Sequence, residues 1–142
     1  MSATTLAIRR AEAADPPAVT AIQAASPEAA QWEASQYLSY DLWVAVREGS
    51  IAGFLAVRTL VEGESEILNL AVAPYQRRQG VARALLEAVL RECRGDVFLE
   101  VRASNEGAQK SYKSVGFQEI AIRPQYYSAP LESAIVMKFH SC

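Results

Sequence analysis

Cysteine and histidine are nearly missing from this chain, which has Cys93, Cys142 and the single His140. So few soft ligands, placed this far apart, supply neither a disulfide framework nor a metal-ligand cluster, and no metal is expected. Long apolar runs are missing as well. No stretch approaches the roughly 18 residues that cross a bilayer, and Met1 to Arg10 lacks the apolar segment of a secretory signal. Together these absences predict a cytoplasmic protein without membrane contact. Repeats and low-complexity tracts are absent. So is a charge excess: 14 basic against 16 acidic side chains leave −2, with no basic stripe interleaved with aromatics, so nucleic acid is a poor partner. What is present is 142 residues, 51% hydrophobic and 21% charged. That length can close a real core, burying about 70% of the unfolded surface, and one domain across residues 1–142 is expected.

The near-zero net charge hides an asymmetry. Residues 1–70 carry four basic and nine acidic side chains, whereas residues 71–142 carry ten and seven. Such a division suits a protein that holds a polyanion at one end and receives a cation at the other, although scattered solvated charges explain it equally well.

Periodicity gives the elements. Thr5 to Arg9 alternates as a strand. Asp15-Pro16-Pro17 predicts a helix start, with an acceptor at the cap and proline where no amide is missed, running to about Ala25. Ser26-Pro27-Glu28 repeats the signal and predicts a second helix through Trp32 that ends before Tyr40. A hairpin spans Leu42 to Val61 with its turn at Glu48-Gly49-Ser50. Ile67 to Val72 reads as a buried strand stopped by Pro74. Leu85, Leu86, Val89, Leu90 and Cys93 form one stripe of a helix from Val81 to Arg94, with Gly95 at its cap. Val97 to Val101 is another strand, and Ser104-Asn105 caps a helix through Ser114. Phe117 to Ile122 and Ala134 to Phe139 are the last strands, separated by a loop with Pro124, Tyr126, Tyr127 and Pro130. The order βααβββαβαββ predicts an α/β (α+β) fold. Its sheet is mixed and mostly antiparallel, with about seven strands, about four helices and one parallel crossover.

Three features carry chemistry. The first is Gln76-Arg77-Arg78-Gln79-Gly80-Val81-Ala82, which leaves a buried strand and enters a long helix. Unpaired amides and the macrodipole at a helix N-terminus, a glycine and two arginines make an anion cradle fit for a pyrophosphate. The second is Glu100, inside an apolar strand. Alternation puts Phe98, Glu100 and Arg102 on one face and Val97, Leu99 and Val101 on the other. Two readings stand: an ion pair with Arg102, or a general base whose pKa partial burial raises. The third is the face shared by Asn105, Ala108 and Tyr112 at spacings of three and seven. Its phenol is either a packing aromatic or a proton donor to a leaving group whose conjugate acid has a pKa near 8 to 9. Tyr37 and Tyr40 are candidates for lining a groove, Trp43 for the sheet core and Cys93 for a core thiol.

Leu68 through Leu86, with Arg-x-x-Gly-x-Ala at Arg77 to Ala82, resembles the acetyl-CoA-binding motif of the GNAT superfamily of N-acetyltransferases. Leu99 to Asn105, Tyr112 ahead of Gly116-Phe117, Ile122-Arg123 with Tyr126-Tyr127, and Glu132 ahead of Ala134 to Met137 resemble the bacterial ribosomal-protein alanine N-acetyltransferases. The likeness implies acetyl-CoA as co-substrate and transfer of its acetyl group to a primary amine. It implies cofactor contacts at Leu70, Ala71, Val72, Arg77, Arg78, Gln79, Gly80, Val81, Ala82, Arg83, Asn105 and Tyr112. It also implies Glu100 as general base and Tyr112 as general acid, with attack in a ternary complex. A protein N-terminus, ribosomal or other, is the implied acceptor. An α-amine with pKa 7.7–8.0 costs about 3.4 kcal/mol less to deprotonate than lysine at about 10.4. A small-molecule amine and a non-catalytic acyl-CoA-binding module are the alternatives.

Overall fold

The computed structural model describes residues 5–26, 32–60, 63–77, 79–127 and 131–140. Among the described residues seven strands form one sheet: β1 (Leu6–Arg10), β2 (Asp41–Arg47), β3 (Ser50–Thr59), β4 (Ser65–Val72), β5 (Val97–Arg102), β6 (Gln118–Tyr127) and β7 (Glu132–Phe139). They lie in the order β1-β2-β3-β4-β5-β7-β6. All neighbours pair antiparallel except β4 and β5, which are parallel. That pair is joined by α2 (Val81–Glu92), the expected crossover. Helices α1 (Pro16–Ala24) and α3 (Glu106–Ser114) and a 3-10 helix at Ala34–Ser39 complete the layers.

The sheet separates two apolar clusters. On one face Leu85, Leu86, Val89 and Leu90 of α2 pack on Leu55, Ile67, Val97, Leu99 and Val101, with Tyr112 of α3 and Trp43. Burying four such side chains is worth about 1.5–3 kcal/mol each, more than helix propensity supplies to twelve residues. On the other face Val19 and Ile22 of α1 and Tyr37 of the 3-10 helix cover Val44, Phe54 and Ala71. Gly53 permits this thickness, because a Cβ there would lie 2.9 Å from the Ala71 carbonyl oxygen and 3.0 Å from Val81 Cγ1. It sets how close α2 comes to the sheet.

Several elements differ from their sequence reading. Asp15 precedes α1 but does not cap it with its side chain. Prolines at the first two helical positions offer no amide to accept from, and the carboxylate turns back to Arg9 Nη1 and the Glu12 amide, both at 2.7 Å. The Arg9 bond holds Asp15 below the usual carboxylate range. The second helix is a short 3-10 turn entered through Glu33, whose side chain and Gln36 form a capping box; the expected start at Pro27-Glu28 lies outside the described residues. Helix α2 ends at Glu92 with Cys93 extended, so Gly95 is no helix cap. A Cβ there would meet the Gly63 carbonyl oxygen at 2.7 Å, and close approach of two loops requires glycine. Strand β6 continues through Pro124 to Tyr127, part of the expected loop. An edge strand tolerates proline because its outer amides have no ladder partner. Pro130 lies outside the described residues.

Candidate functional site

Strands β4 and β5 pair only at Ser65–Val97 and Glu66–Phe98. Beyond Glu66 their registered pairing stops, and β5 continues alongside β7 through Arg102. The sheet therefore opens as a cleft between the second halves of two adjacent parallel strands. Strand β4 is also bulged. Ala56 pairs with Asn69 and Val57 with Ile67, so Leu68 is an extra residue. Past the bulge Ala73 N–H donates to Ala52 of the β3 side at 2.8 Å. Alternation then turns the amides of Leu70 and Val72 to the cleft edge. Leu70 N–H donates to Asn69 Oδ1 at 3.1 Å, and Val72 N–H faces the opening.

At the end of the cleft β4 passes through a 3-10 turn, Pro74–Gln76, into α2. Gly80 precedes the helix at φ 80°, ψ 11°, a left-handed conformation that favours glycine, with open space where a Cβ would stand. The first intrahelical bond runs from Ala84 N–H to Gly80 O at 3.0 Å. The amides of Val81, Ala82 and Arg83 are left outside the ladder, at the positive end of the macrodipole. Around them the guanidiniums are held in place. Arg47 Nη1 donates to Gln76 Oε1 and Gln79 Oε1, both at 2.8 Å. Arg77 donates to Val72 O at 3.1 Å, Ala25 O at 3.3 Å and Ser26 Oγ at 3.0 Å. These acceptors are neutral, so both positive charges persist beside the helix start. Arg83 pairs with Glu87 at 3.4 Å, and Arg78 lies outside the described residues.

Across the cleft Val97, Leu99 and Val101 are buried and Phe98, Glu100 and Arg102 half-buried, as alternation predicts. The ion pairing differs from that expected from neighbours in sequence. Glu100 Oε2 accepts from Arg123 Nη1 of β6 at 2.8 Å. Arg102 instead donates to Glu132 Oε1 at 3.1 Å and lies over the Tyr127 ring at 4.4 Å. Glu132 also accepts from the Ser104 amide at 3.0 Å and the Ser104 hydroxyl at 3.1 Å. Desolvation would raise its pKa, but these donors outweigh it and hold the carboxyl below its usual value. The rim of this face is thus carboxylates buttressed by arginines, with Tyr126 and Tyr127 edge to face at 5.1 Å.

Asn105 caps α3, its Oδ1 accepting from Ala108 N–H at 3.2 Å. Tyr112 on that helix is buried among the α2-side cluster, edge to face with Phe117 at 5.7 Å. Burial first, and then Tyr127, push its phenol well above the ordinary value. Glu100 and Tyr112 therefore occupy opposite faces of the sheet. Tyr127 is an electrostatic neighbour of each.

The fold has counterparts among known proteins. The acetyltransferase (GNAT) family model matches residues 6–117. The chain belongs to the GNAT family. A [ribosomal protein bS18]-alanine N-acetyltransferase of Escherichia coli K12 is 40% identical over 111 residues, 74% of this chain and 72% of that protein. The crystal structure of the ribosomal-protein-S18-alanine N-acetyltransferase from Escherichia coli superposes with a TM-score of 0.84 at 33% identity, covering 96% and 94% of the two chains. A GNAT family acetyltransferase from Elizabethkingia anophelis, solved with acetyl-CoA bound, shares the fold at a TM-score of 0.80 and 21% identity over 95% and 97%. This GNAT protein is an acetyl-CoA-dependent N-acetyltransferase.

On the GNAT fold the sequence-predicted cofactor residues from Leu70 to Arg83, apart from Arg78, gather along one cleft edge and helix start, while Asn105 and Tyr112 stand on α3. Tyr37 is fully buried and lines no groove, and Tyr40 is half-buried beside Trp32 at 5.4 Å. Trp43 is core as expected, whereas Cys93, read as a core thiol of the α2 stripe, is half-buried just past the helix end. Sequence reasoning missed Arg47, whose contacts cross about thirty residues, and Asn69, whose polar side chain inside an apolar strand was the available signal. Among the described residues no group of three potential metal ligands occurs, and no helix is long and apolar enough to cross a membrane.

Proposed function

We propose that this GNAT protein, acting as one domain in the cytoplasm, acetylates the N-terminal α-amine of a protein substrate, ribosomal-protein alanine being the leading candidate. The observation that carries the reading is the parting of β4 from β5 beyond Glu66, beside a helix start whose first amides lie outside the ladder. In this reading the pyrophosphate of acetyl-CoA takes the amides of Val81, Ala82 and Arg83 with Gly80, Gln79, Arg78 and Arg77 around it. The pantetheine arm lies along Leu70, Ala71 and Val72 near Asn105. Val72 N–H polarises the thioester carbonyl.

Glu100 takes the proton of the incoming ammonium, directly or through a water, and the amine nitrogen attacks the carbonyl carbon. The C–N bond forms, the C–S bond breaks, Tyr112 gives its proton to the departing thiolate, and the second proton shed by the attacking nitrogen restores the phenol through solvent. A phenol carries its proton at neutral pH, as the last role requires. Similarity to the Escherichia coli bS18-alanine N-acetyltransferase supports the α-amine, as does its lower cost of deprotonation.

The test is intact-mass analysis of a peptide beginning with alanine after incubation with acetyl-CoA. A gain of one acetyl group at the N-terminus, absent when that amine is blocked, is the expected result. Transfer to small amines alone would replace the protein acceptor, and binding without transfer to any amine would leave an acyl-CoA-binding module.

A further inference from the structure

Three polar side chains are buried together beneath the cleft edge: Gln23 of α1, Tyr37 of the 3-10 helix and Asn69 of β4 are 4%, 0% and 6% exposed. Their hydrogen bonds run in one direction. Leu70 N–H donates to Asn69 Oδ1 at 3.1 Å. Asn69 Nδ2 donates to the Tyr37 hydroxyl at 2.9 Å, that hydroxyl donates to Gln23 Oε1, and Gln23 Nε2 donates to Trp32 O at 2.7 Å. Buried polar groups of this kind are costly unless paired, so a packed apolar trio would be the simpler core. Asn69 also stands directly after the extra residue of the bulge, where β4 changes which side its residues face. A second contact joins the same two regions, since Arg77 bridges Val72 O to Ala25 O and Ser26 Oγ at the end of α1.

We propose that Gln23, Tyr37 and Asn69 form a positioning relay that holds the bulged edge of β4 and couples its cleft-facing amides to α1 and the 3-10 helix. It rests on the proposed function, in which those amides meet the thioester and its pantetheine arm. Asn69 keeps Leu70 N–H bonded while the cleft is unfilled, and Tyr37 fixes the orientation of the Asn69 amide. None of the three is a catalytic residue.

The test variant is Tyr37→Phe, which removes one hydroxyl and keeps the ring packed edge to face on Phe54 at 5.4 Å. The expected result is a kcat reduced about tenfold, the worth of one buried hydrogen bond, with KM for acetyl-CoA within about twofold of the parent. Hydrogen exchange followed by NMR in the unliganded protein should show the Leu70 amide exchanging about tenfold faster. A merely structural role would lower the melting temperature and leave kcat of the folded protein and Leu70 exchange at parental values, which overturns the proposal. Should Tyr37→Phe fail to fold, Gln23→Met breaks the far end of the relay, and the same split is required of it. If the parent acetylates no amine, the proposed function falls, and the Leu70 exchange rate still decides the relay: faster in the variant upholds it, unchanged overturns it.

Discussion

Tyr112 and Glu100 show how differently two residues of one site reveal themselves. The face of Glu100 followed from strand alternation, because its neighbours Leu99 and Val101 are apolar and buried. Its partner did not follow, since Arg123 stands 23 residues away on a strand that reaches β5 only through β7. Tyr112 was readable as one face of α3, but its burial against Phe117 and its raised pKa depend on α2 and β5 closing over it. The test at this scale is Tyr112→Phe. The ring stays, so packing and acetyl-CoA affinity measured by calorimetry are expected to change by less than about twofold, while kcat falls by about 10² or more, the usual worth of a placed acid. Parental kcat in this variant would remove the hydroxyl from the reaction.

Among the elements, α2 has the clearest start and the least legible end. Gly80, the unbonded first amides and the stripe from Leu85 to Leu90 are local properties of consecutive residues. The end at Glu92 reflects an approach between Gly95 and Gly63 that no periodicity encodes. Likewise Asp15 has the chemistry of a cap, but two following prolines leave its carboxylate to Arg9. Gly53 links element packing to the site, because a side chain there would press on Ala71 of β4 and on Val81 at the first turn of α2. Gly53→Ala is expected to cost about 1–3 kcal/mol of stability by urea denaturation, the usual penalty of overpacking. It should also weaken acetyl-CoA binding, since the cleft edge and the helix start move together. Full stability and affinity in the variant would show that the sheet accommodates the methyl without disturbing either.

Over the whole molecule the acidic first half and basic second half of the sequence do not become two ends. Strand β5, from the second half, is inserted beside β4, and the carboxylates of Glu100 and Glu132 arrive with the basic half, each matched by an arginine. Arg47 of the first half joins the cradle. The cleft between β4 and β5 is thus assembled from distant stretches. A ligand that bridges them should stabilise the entire fold: saturation at a hundred times Kd is expected to add about 2.7 kcal/mol, read by scanning calorimetry as a melting temperature several degrees higher. No rise with acetyl-CoA would exclude its binding to this cleft.

The sequence alone was sufficient for the order of strands and helices, the buried faces of β5 and α2, the anion-friendly start of α2 and the family resemblance. Each depends on periodicity, capping chemistry or a short motif carried by neighbouring residues. Tertiary structure alone decided the bulge at Leu68, the parting of β4 from β5, the Glu100–Arg123 pair and the buried Gln23–Tyr37–Asn69 bonds. The reason is physical: these features exist only where segments tens of residues apart meet, and strand pairing and burial, not local preference, choose which polar groups face one another.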